Sequence, residues 1–229
     1  NGNVVSIATT YDGSSHAVAT TYLHSANGQL LSSNTLPFVT GSMVDYSGDQ
    51  YGTVFAMSSS TGGGNGWYGQ IYDVQFNTPA ADDYYLAVYN STGVLQRNVK
   101  IGSWDQGVVD DAISAVQMSN GNILMMYVVS SVPYVKVIDP TSAATVGTAI
   151  QLDTATLRGV NLVPLTGGGY AAVWQTGTTF KYQFLTSTGA TTGSVQSFSA
   201  LVTSGQTPSG LNDGSVASGW NATATADGG

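Results

Sequence analysis

The sequence predicts an all-β protein, and two observations carry that prediction. The first is composition: all 13 acidic residues are Asp, Glu is absent, and 29 of the 229 residues are Gly. Glu and Lys favour helices, whereas Asp, Gly, Ser and Thr favour turns and strand ends. The second is a glycine-rich turn followed by a half-apolar strand, clearest at residues 165–174, which recurs along the chain. Hydrophobic residues make up 42% of the chain, which is enough for a folded core.

The first repeat unit contains three predicted strands, at residues 2–10, 16–24 and 30–35. A turn at residues 11–15 separates the first two strands. Asn27-Gly28 separates the last two, because this dipeptide readily adopts the positive φ values of a hairpin turn.

Three further units repeat this order. Strands are predicted at residues 53–59, 86–89 and 99–101 in the second unit, at 122–129, 134–138 and 148–152 in the third, and at 170–174, 180–185 and 195–198 in the fourth. A first turn recurs near Gly2, Gly52, Gly121 and Gly168, and a second turn near Gly28, Gly93, Ala143 and Gly189. A four-stranded repeat of roughly 40–50 residues is typical of a β-propeller.

A strand before the first turn completes each later unit, at residues 42–45, 113–118 and 159–165. The first unit has no such strand, because the sequence begins at its turn. Residues 220–229 align with residues 160–169, and their closing Asp-Gly-Gly would lead into Asn1. We therefore predict that the C-terminal strand joins the first unit and closes the ring, which removes free sheet edges.

The prediction is a single β-propeller domain over residues 1–229, with four blades. The spacing between turns is longer in the second unit, which indicates an insertion at about residues 58–83. Five blades are the alternative, if this insertion is a degenerate blade. No signal peptide is visible, and we expect a mature fragment or an excised domain.

Charge limits the partners that we expect. Only 8% of the residues are charged, and the net charge is −8. An acidic surface repels phosphate backbones, so nucleic acid is not an expected partner. No apolar run reaches about 18 residues, so no membrane span is expected. The chain has no Cys, which excludes thiol catalysis and Cys-ligated metal.

The fourth unit resembles a known repeat. The pattern is Gly-Gly-aromatic, a strand ending in Trp, then Tyr-x-Gln-x-Phe and a glycine turn, carried by Gly168, Gly169, Tyr170, Trp174, Tyr182, Gln183, Phe184 and Gly189. Residues 165–193 are in this respect similar to the propeller-type repeats of large secreted bacterial proteins of the hemolysin-type calcium-binding (RTX) and adhesin class. The resemblance implies a propeller fold and an extracellular or cell-surface location. The chain lacks the calcium-binding nonapeptides of that class, so calcium does not follow from the resemblance.

One segment has the spacing of a calcium loop. Asp45, Ser47 and Asp49 alternate in the sequence DYSGDQYG, and oxygen ligands at positions 1, 3 and 5 are what such a loop requires. Position 12 of the loop would be Ala56 and not Glu, so we favour a polar strand-to-turn segment. Calcium is therefore a candidate ligand of these three residues, and the sequence requires no cofactor.

Catalytic motifs are weak. The Asp-Asp pairs at residues 82–83 and 110–111 are adjacent, so on a strand the two side chains of each pair point to opposite faces. His16 and His24 are about 26 Å apart on a continuous strand, which is too far to share a metal.

Aromatic residues concentrate around the predicted insertion, where glycines at 62–64 and 66 predict a mobile loop. Flat aromatic faces stack on sugar rings and amides bond hydroxyl groups, so the cluster is a candidate glycan-binding site. Packing between blades is the alternative, which we weigh equally. The candidate ligand-binding residues are Trp67, Tyr68, Tyr72, Tyr84 and Trp104. Tyr68 and Tyr72 share one strand face by parity, and Trp67 points the other way.

We expect a non-catalytic extracellular module of a bacterial surface or secreted protein, serving adhesion or assembly and recognising a cell-surface glycan or neighbouring copies. A carbohydrate-active propeller enzyme, a glycoside hydrolase or lyase, is one alternative, because one fold hosts many functions. A structural subunit of a surface layer or extracellular filament is the other. Trp174 is expected in the core, with Met57 and Tyr127 as its counterparts in other units.

Overall fold

The computed structural model describes residues 3–11, 17–35, 52–57, 66–77, 80–105, 113–154, 158–176 and 179–199. In these ranges the chain forms fifteen β-strands and no helix, so the all-β prediction is confirmed. The strands form four antiparallel sheets, numbered here sheets 1 to 4 in chain order, and each sheet follows the chain without a crossover. None of the described segments is a helix long and apolar enough to cross a membrane.

Sheet 1 contains β1 Val4–Tyr11, β2 Ala17–His24 and β3 Leu30–Thr35. Sheet 2 contains β4 Gly52–Met57, β5 Trp67–Asn77, β6 Ala80–Tyr89 and β7 Leu95–Asp105. Sheet 3 contains β8 Ser114–Gln117, β9 Ile123–Val129, β10 Val132–Ile138 and β11 Thr145–Gln151. Sheet 4 contains β12 Arg158–Pro164, β13 Tyr170–Thr176, β14 Thr179–Leu185 and β15 Thr191–Ser199.

The turn before the last strand has a common geometry in sheets 1, 2 and 4, and in sheet 3 it is one residue longer, with Ala143 at a φ of 61°. Gly28, Gly93 and Gly189 have φ values of 83°, 82° and 84°, which side chains other than glycine rarely adopt. In sheet 2 the Gly93 N–H donates to the Asn90 carbonyl at 2.9 Å, and the Asn90 N–H donates to the Val94 carbonyl at 3.0 Å. Backbone hydrogen bonds close the turns of sheets 1 and 4 in the same pattern. The predicted second turn is therefore confirmed.

A β-bulge lies next to this turn in all four sheets. The strand register shifts between Leu23 and His24, between Val88 and Tyr89, between Val135 and Val137, and between Tyr182 and Phe184. A bulge increases local twist and interrupts the edge of a sheet. In every sheet the β-bulge lies close to the second turn, so the two features together show which strands are equivalent. β6 corresponds to β2, β10 and β14.

The structure corrects the prediction for the second unit. The sheet order makes β4 the first strand of sheet 2 and not the strand after the first turn. Residues 67–77, which we assigned to a mobile insertion at about 58–83, form β5 and pair with both β4 and β6. β4 pairs with residues 67–72 and β6 with residues 68–77, so this segment is a regular strand in the middle of sheet 2.

The strands predicted before the first turn are confirmed in two units, where β8 and β12 occupy residues 113–118 and 159–165 in part. The corresponding segments 42–45 and 220–229 lie outside the described residues. Within the described residues β1 pairs with β2 alone, and the four sheets do not close into a ring. The number of blades and the closure by residues 220–229 stay predictions.

The sheets pack against one another in chain order. β1 contacts β4, β4 contacts β8, and β8 contacts β12, so the first described strands lie side by side. A hydrophobic cluster fills each of the three interfaces between successive sheets. Trp174 lies in the cluster between sheets 3 and 4 and is only 1% exposed, which confirms its predicted place in the core. By strand register its counterparts are Tyr127 and Tyr72, so the assignment of Met57 is wrong.

Closure of the ring is tested by removing residues 220–229. Among the described residues, β1 pairs on one side only, with β2. Loss of a strand that pairs with its other side should expose a sheet edge and lower the melting temperature and solubility. Differential scanning calorimetry of the truncated and intact chains measures the effect. An unchanged melting temperature would show that this segment does not belong to the ring.

Trp174→Ala should lower the free energy of unfolding by about 3–5 kcal/mol, because it leaves a cavity in the interface between sheets 3 and 4. Val146→Ala is the control: Val146 is 46% exposed, and its truncation should change stability by less than about 0.5 kcal/mol. Urea unfolding measures both variants. A Trp174→Ala loss below about 1 kcal/mol would contradict the packing described here.

Candidate functional site

The predicted ligand-binding tyrosines lie between sheets 1 and 2. Tyr68 and Tyr72 share the face of β5 that is turned towards sheet 1, as their parity predicted, and belong to the cluster in that interface. Trp67 lies on the other face and packs against the cluster between sheets 2 and 3. Both tyrosine side chains are only 3% exposed.

Two stacked tyrosine pairs form in this interface. The rings of Tyr68 and Tyr89 are 4.8 Å apart with an interplanar angle of 12°, and the rings of Tyr72 and Tyr85 are 5.6 Å apart at 21°. Cross-strand pairing brings the members of each pair together. Tyr68 and Tyr72 therefore stack on neighbouring tyrosines and do not present the exposed platform that we predicted for a sugar ring.

The other candidate residues lie elsewhere. Tyr84 faces sheet 3, where it is 3% exposed within the hydrophobic cluster. Trp67 is half-buried against the same cluster. Trp104 lies in β7, where its backbone is opposite Asp82. The structure thus brings Tyr68 and Tyr72 together on one side of sheet 2 and places Trp67 and Tyr84 on the other side.

The interface between sheets 1 and 2 also holds buried polar groups. The Thr21 hydroxyl donates to Gln70 Oε1 at 2.7 Å, and both residues are fully buried. The Tyr72 hydroxyl donates to Asn98 Oδ1 at 3.0 Å. These two hydrogen bonds satisfy some of the buried polar groups in this interface and fix the orientation of their side chains.

Three further polar atoms in this interface have no hydrogen-bond partner among the described residues: the hydroxyls of Tyr68 and Tyr89 and the Nε2 of Gln70. Each such group costs about 1–3 kcal/mol of desolvation. Burial, with a smaller contribution from Tyr89, raises the pKa of Tyr68 to about 12. Burial also raises the pKa of Tyr89, and the nearby Thr21 hydroxyl offsets part of that rise. These hydroxyls stay protonated near neutral pH and supply no base or nucleophile.

A buried polar residue recurs at one register position in sheets 2 to 4. The equivalent cross-strand pairs are Gln70 with Ala87, Met125 with Lys136, and Ala172 with Gln183. In each pair one member is polar and buried. The sequence analysis singled out only Gln183 as part of a motif, and strand register was needed to align it with Gln70 and Lys136.

Lys136 is the charged member of this set. It is 6% exposed, its Nζ donates to the Ile101 carbonyl of sheet 2 at 3.1 Å, and it lies 5.3 Å from the centre of the Tyr127 ring. Burial lowers the pKa of Lys136 to about 8. Its position in an alternating apolar strand was the sequence signal for burial, because every second residue of β10 faces sheet 2.

Gln183 supports the bulge of sheet 4. Its Nε2 donates to the Thr192 carbonyl at 2.6 Å and lies 3.3 Å from the Gly193 carbonyl. Gly193 has a φ of 70°, as a bulge residue often does. The Gln of the Tyr-x-Gln-x-Phe pattern therefore satisfies backbone carbonyls where the strand ladder is interrupted.

Asp83 and Asp153 are held in ion pairs. Asp83 lies 2.7 Å from Lys100 Nζ and accepts a hydrogen bond from Ser103 at 2.6 Å. Asp153 lies 2.6 Å from Lys181 Nζ and accepts a hydrogen bond from Trp174 Nε1 at 3.0 Å. Burial raises the pKa of Asp153, but the donors Lys181 and Trp174 outweigh it and hold the pKa below its usual range.

Asp139 begins the second turn of sheet 3. Its carboxylate accepts hydrogen bonds from the Thr141 hydroxyl at 2.6 Å, the Thr141 N–H at 2.8 Å and the Ser142 hydroxyl at 2.9 Å. These donors lower the pKa of Asp139 to about 2. Asp139 thus organises its turn, and with Asp83 and Asp153 it completes the set of carboxylates whose side chains the structure describes.

The predicted calcium ligands Asp45, Ser47 and Asp49 lie outside the described residues, and so does His16. Within the described ranges no three His, Cys, Asp or Glu side chains come close enough to hold a metal ion. The described part of the site is therefore a set of buried aromatic and polar side chains between sheets, with hydrogen-bonding and packing capacity.

Comparison with known proteins finds solved structures of low similarity and no family. No family model matches the sequence, and no curated protein matches it. A protein of unknown function from Bacteroides caccae has a TM-score of 0.46 and 9% identity, over 87% of this chain and 58% of that one. The Dos1 propeller has a TM-score of 0.47 and 12% identity, over 90% of this chain and 50% of that one.

A third similar structure is sucrose-6-phosphate hydrolase from Lactobacillus gasseri, with a TM-score of 0.41 and 10% identity, over 76% of this chain and 39% of that one. This chain therefore spans about half the length of the first two structures and less of the third. One of these structures is a propeller, and at TM-scores below 0.5 and identities of 9–12% the three matches carry no conclusion about this chain.

The unsatisfied hydroxyls can be tested by removing them. Tyr68→Phe and Tyr89→Phe should leave the free energy of unfolding unchanged or raise it, because each removes a buried hydroxyl that has no hydrogen-bond partner. Tyr72→Phe is the matched control, and it should cost about 1 kcal/mol because it breaks the bond to Asn98. Urea unfolding measures all three variants. Equal losses in all three would contradict the hydrogen bonding described here.

Proposed function

We propose that this chain is a non-catalytic binding or assembly module of a bacterial surface or secreted protein, located outside the cell. The observation that carries the proposal is that three of the four outer strands, β3, β11 and β15, contain no charged residue, whereas the outer strand β7 of sheet 2 contains Arg97, Lys100 and Asp105. The side chains of β11 and β15 are almost all exposed over residues 145–151 and 191–197. Exposed strand edges without charges favour pairing with other chains, which most soluble proteins prevent by placing charges there.

The described carboxylates support a role without catalysis. Asp83 and Asp153 are each held by a Lys and a second donor, and Asp139 is held by its own turn. A glycosidase needs two carboxyl groups facing a substrate, one of them a proton donor. A carbohydrate-active propeller enzyme is the alternative that the experiment below separates from the proposal.

Two kinds of partner fit this module: a neutral cell-surface glycan and neighbouring copies of the same chain. Ser and Thr hydroxyls on β11 and β15 offer hydrogen bonds to either partner without the desolvation cost of a charge. Calcium binding by Asp45, Ser47 and Asp49 belongs to the same proposal, because a cation there would add ligand sites for sugar hydroxyls.

The proposed function is tested with labelled chain on a glycan array, with analytical ultracentrifugation, and with product analysis of the same glycans after incubation. We expect glycan binding or reversible self-association, and no released sugar. Binding that is lost in a chelator and restored by Ca²⁺ would assign a role to Asp45, Ser47 and Asp49. Release of sugar above the heat-denatured control would reject the non-catalytic proposal in favour of the enzyme.

A further inference from the structure

The hairpin of β5 and β6 is longer than its counterparts in sheets 3 and 4. β5 and β6 contain 11 and 10 residues, whereas β9, β10, β13 and β14 contain 7 each. Tyr89, Ile138 and Leu185 end equivalent strands at the second turn, so the extra residues of sheet 2 lie at the other end of the hairpin. We name this end, with the part of β7 that pairs with it, the sheet 2 extension; it comprises residues 73–77, 80–84 and 102–105.

Strand alternation assigns the residues of the sheet 2 extension to two faces. Ile71 of β5 and Tyr84 of β6 belong to the hydrophobic cluster between sheets 2 and 3. Asp73 is opposite Tyr84, and residues directly opposite each other share a face. Asp82 lies two residues before Tyr84 on the same strand and therefore on the same face. Both Asp residues thus lie on the face of sheet 2 that is turned towards sheet 3.

One row across this face combines three kinds of side chain. Gln75 of β5 is opposite Asp82 of β6, and Asp82 is opposite Trp104 of β7. The Cβ atoms of directly opposite residues are about 4.5–5.5 Å apart. Asp73 is a diagonal neighbour of Asp82, at about 7–8 Å. The register therefore brings an indole, an amide and two carboxylates to one small part of the face.

The other face of the sheet 2 extension holds an ion pair. Asp83 lies 2.7 Å from Lys100 Nζ and accepts a hydrogen bond from Ser103 at 2.6 Å. Ser103 is also opposite Asp83 in the strand register. Asp82 and Trp104 are the chain neighbours of these two residues, so alternation places them on the opposite face. The contacts of Asp83 thus support the assignment of the row independently.

We propose that the row formed by Gln75, Asp82 and Trp104, together with Asp73, binds a neutral glycan. This inference rests on the proposed function and names its site and its class of glycan. The flat indole of Trp104 supplies the stacking surface for a sugar ring. The Gln75 amide both donates and accepts hydrogen bonds, and the carboxylates accept strong ones from sugar hydroxyls.

Charge selects the class of glycan. An ionised carboxylate only accepts hydrogen bonds, so Asp73 and Asp82 require a ligand with hydroxyl donors. Uronic and sialic acids would place a further carboxylate beside them, and the net charge of −8 repels anionic ligands as well. The row also has no counterpart in sheets 3 and 4, whose hairpin strands are shorter, so the repeat itself does not require these residues.

The first arm of the test compares Trp104→Ala with the natural chain. An array carries neutral oligosaccharides beside counterparts that contain uronic or sialic acid, and the neutral oligosaccharide with the strongest signal is then used for isothermal titration calorimetry. We expect Trp104→Ala to weaken its binding by about tenfold or more, because truncation of a central aromatic contact is costly. Ser103→Ala is the matched control, since it changes the adjacent residue on the opposite face and should keep the natural affinity.

A second arm tests the carboxylates through specificity. Asp73→Asn with Asp82→Asn preserves the shape of both side chains and removes their charge. We expect the ratio of neutral to acidic glycan binding on the array to fall, because the repulsion of acidic sugars is lost. A role in folding alone would leave this ratio unchanged. Far-UV circular dichroism and the melting temperature show that each variant is folded before its binding is measured.

Three results would overturn the inference: a natural chain that binds no glycan, one that prefers acidic glycans, or a folded Trp104→Ala variant with natural affinity. The proposed function is judged separately. Neutral glycan binding that survives both sets of substitutions would reject this site and retain the binding module. Reversible self-association of a natural chain that binds no glycan would reject the site and retain the assembly role.

Discussion

Apolar packing between successive sheets is the interaction on which the rest of the structure depends. No sheet has a hydrophobic interior of its own: sheets 2 and 3 each bury both faces against their neighbours in the chain, and sheets 1 and 4 each bury one face in these clusters. The largest side chains at equivalent positions, Tyr72, Tyr127 and Trp174, all face the preceding sheet. At about 25 cal/mol per Å² of buried apolar surface, contacts of this kind outweigh the few ion pairs. The turns, the β-bulges and the hydrogen bonds of buried polar side chains hold the sheets in register for this packing.

Two of the buried polar residues at one register position each link their sheet to the sheet that precedes it. Gln70 is bonded to sheet 1 through Thr21, and Lys136 to sheet 2 through the Ile101 carbonyl, so each links its sheet to the preceding one. Gln183 instead satisfies the bulge of its own sheet. Among the described side chains, the interface between sheets 1 and 2 holds three of the buried polar atoms without a hydrogen-bond partner.

Local sequence signals predicted much of this fold. Alternation and turn glycines located most strands and the second turn, and the strand predicted at residues 30–35 coincides with β3. They failed at residues 58–83, where four glycines and several aromatics suggested a loop. The sequence Gly-Gly-Gly-Asn-Gly-Trp at 62–67 matches the Gly-Gly-Gly-Tyr that precedes β13, and this signal would have marked β5 as a blade strand. Burial of Tyr68 and Tyr72 was not predictable, because parity fixes a shared face but not which sheet covers it.

Function in this architecture depends on which surfaces are left uncovered, since the described polar groups are committed to internal contacts. The central claim is that residues 67–77 form a strand of sheet 2, whose residues 67–72 lie between β4 and β6 and pack against both neighbouring sheets. Hydrogen exchange followed by mass spectrometry tests it most directly. The account predicts slow exchange in β5, comparable with β9 and β13, and fast exchange in the outer strand β15. Exchange in residues 67–77 as fast as in β15 would contradict the account.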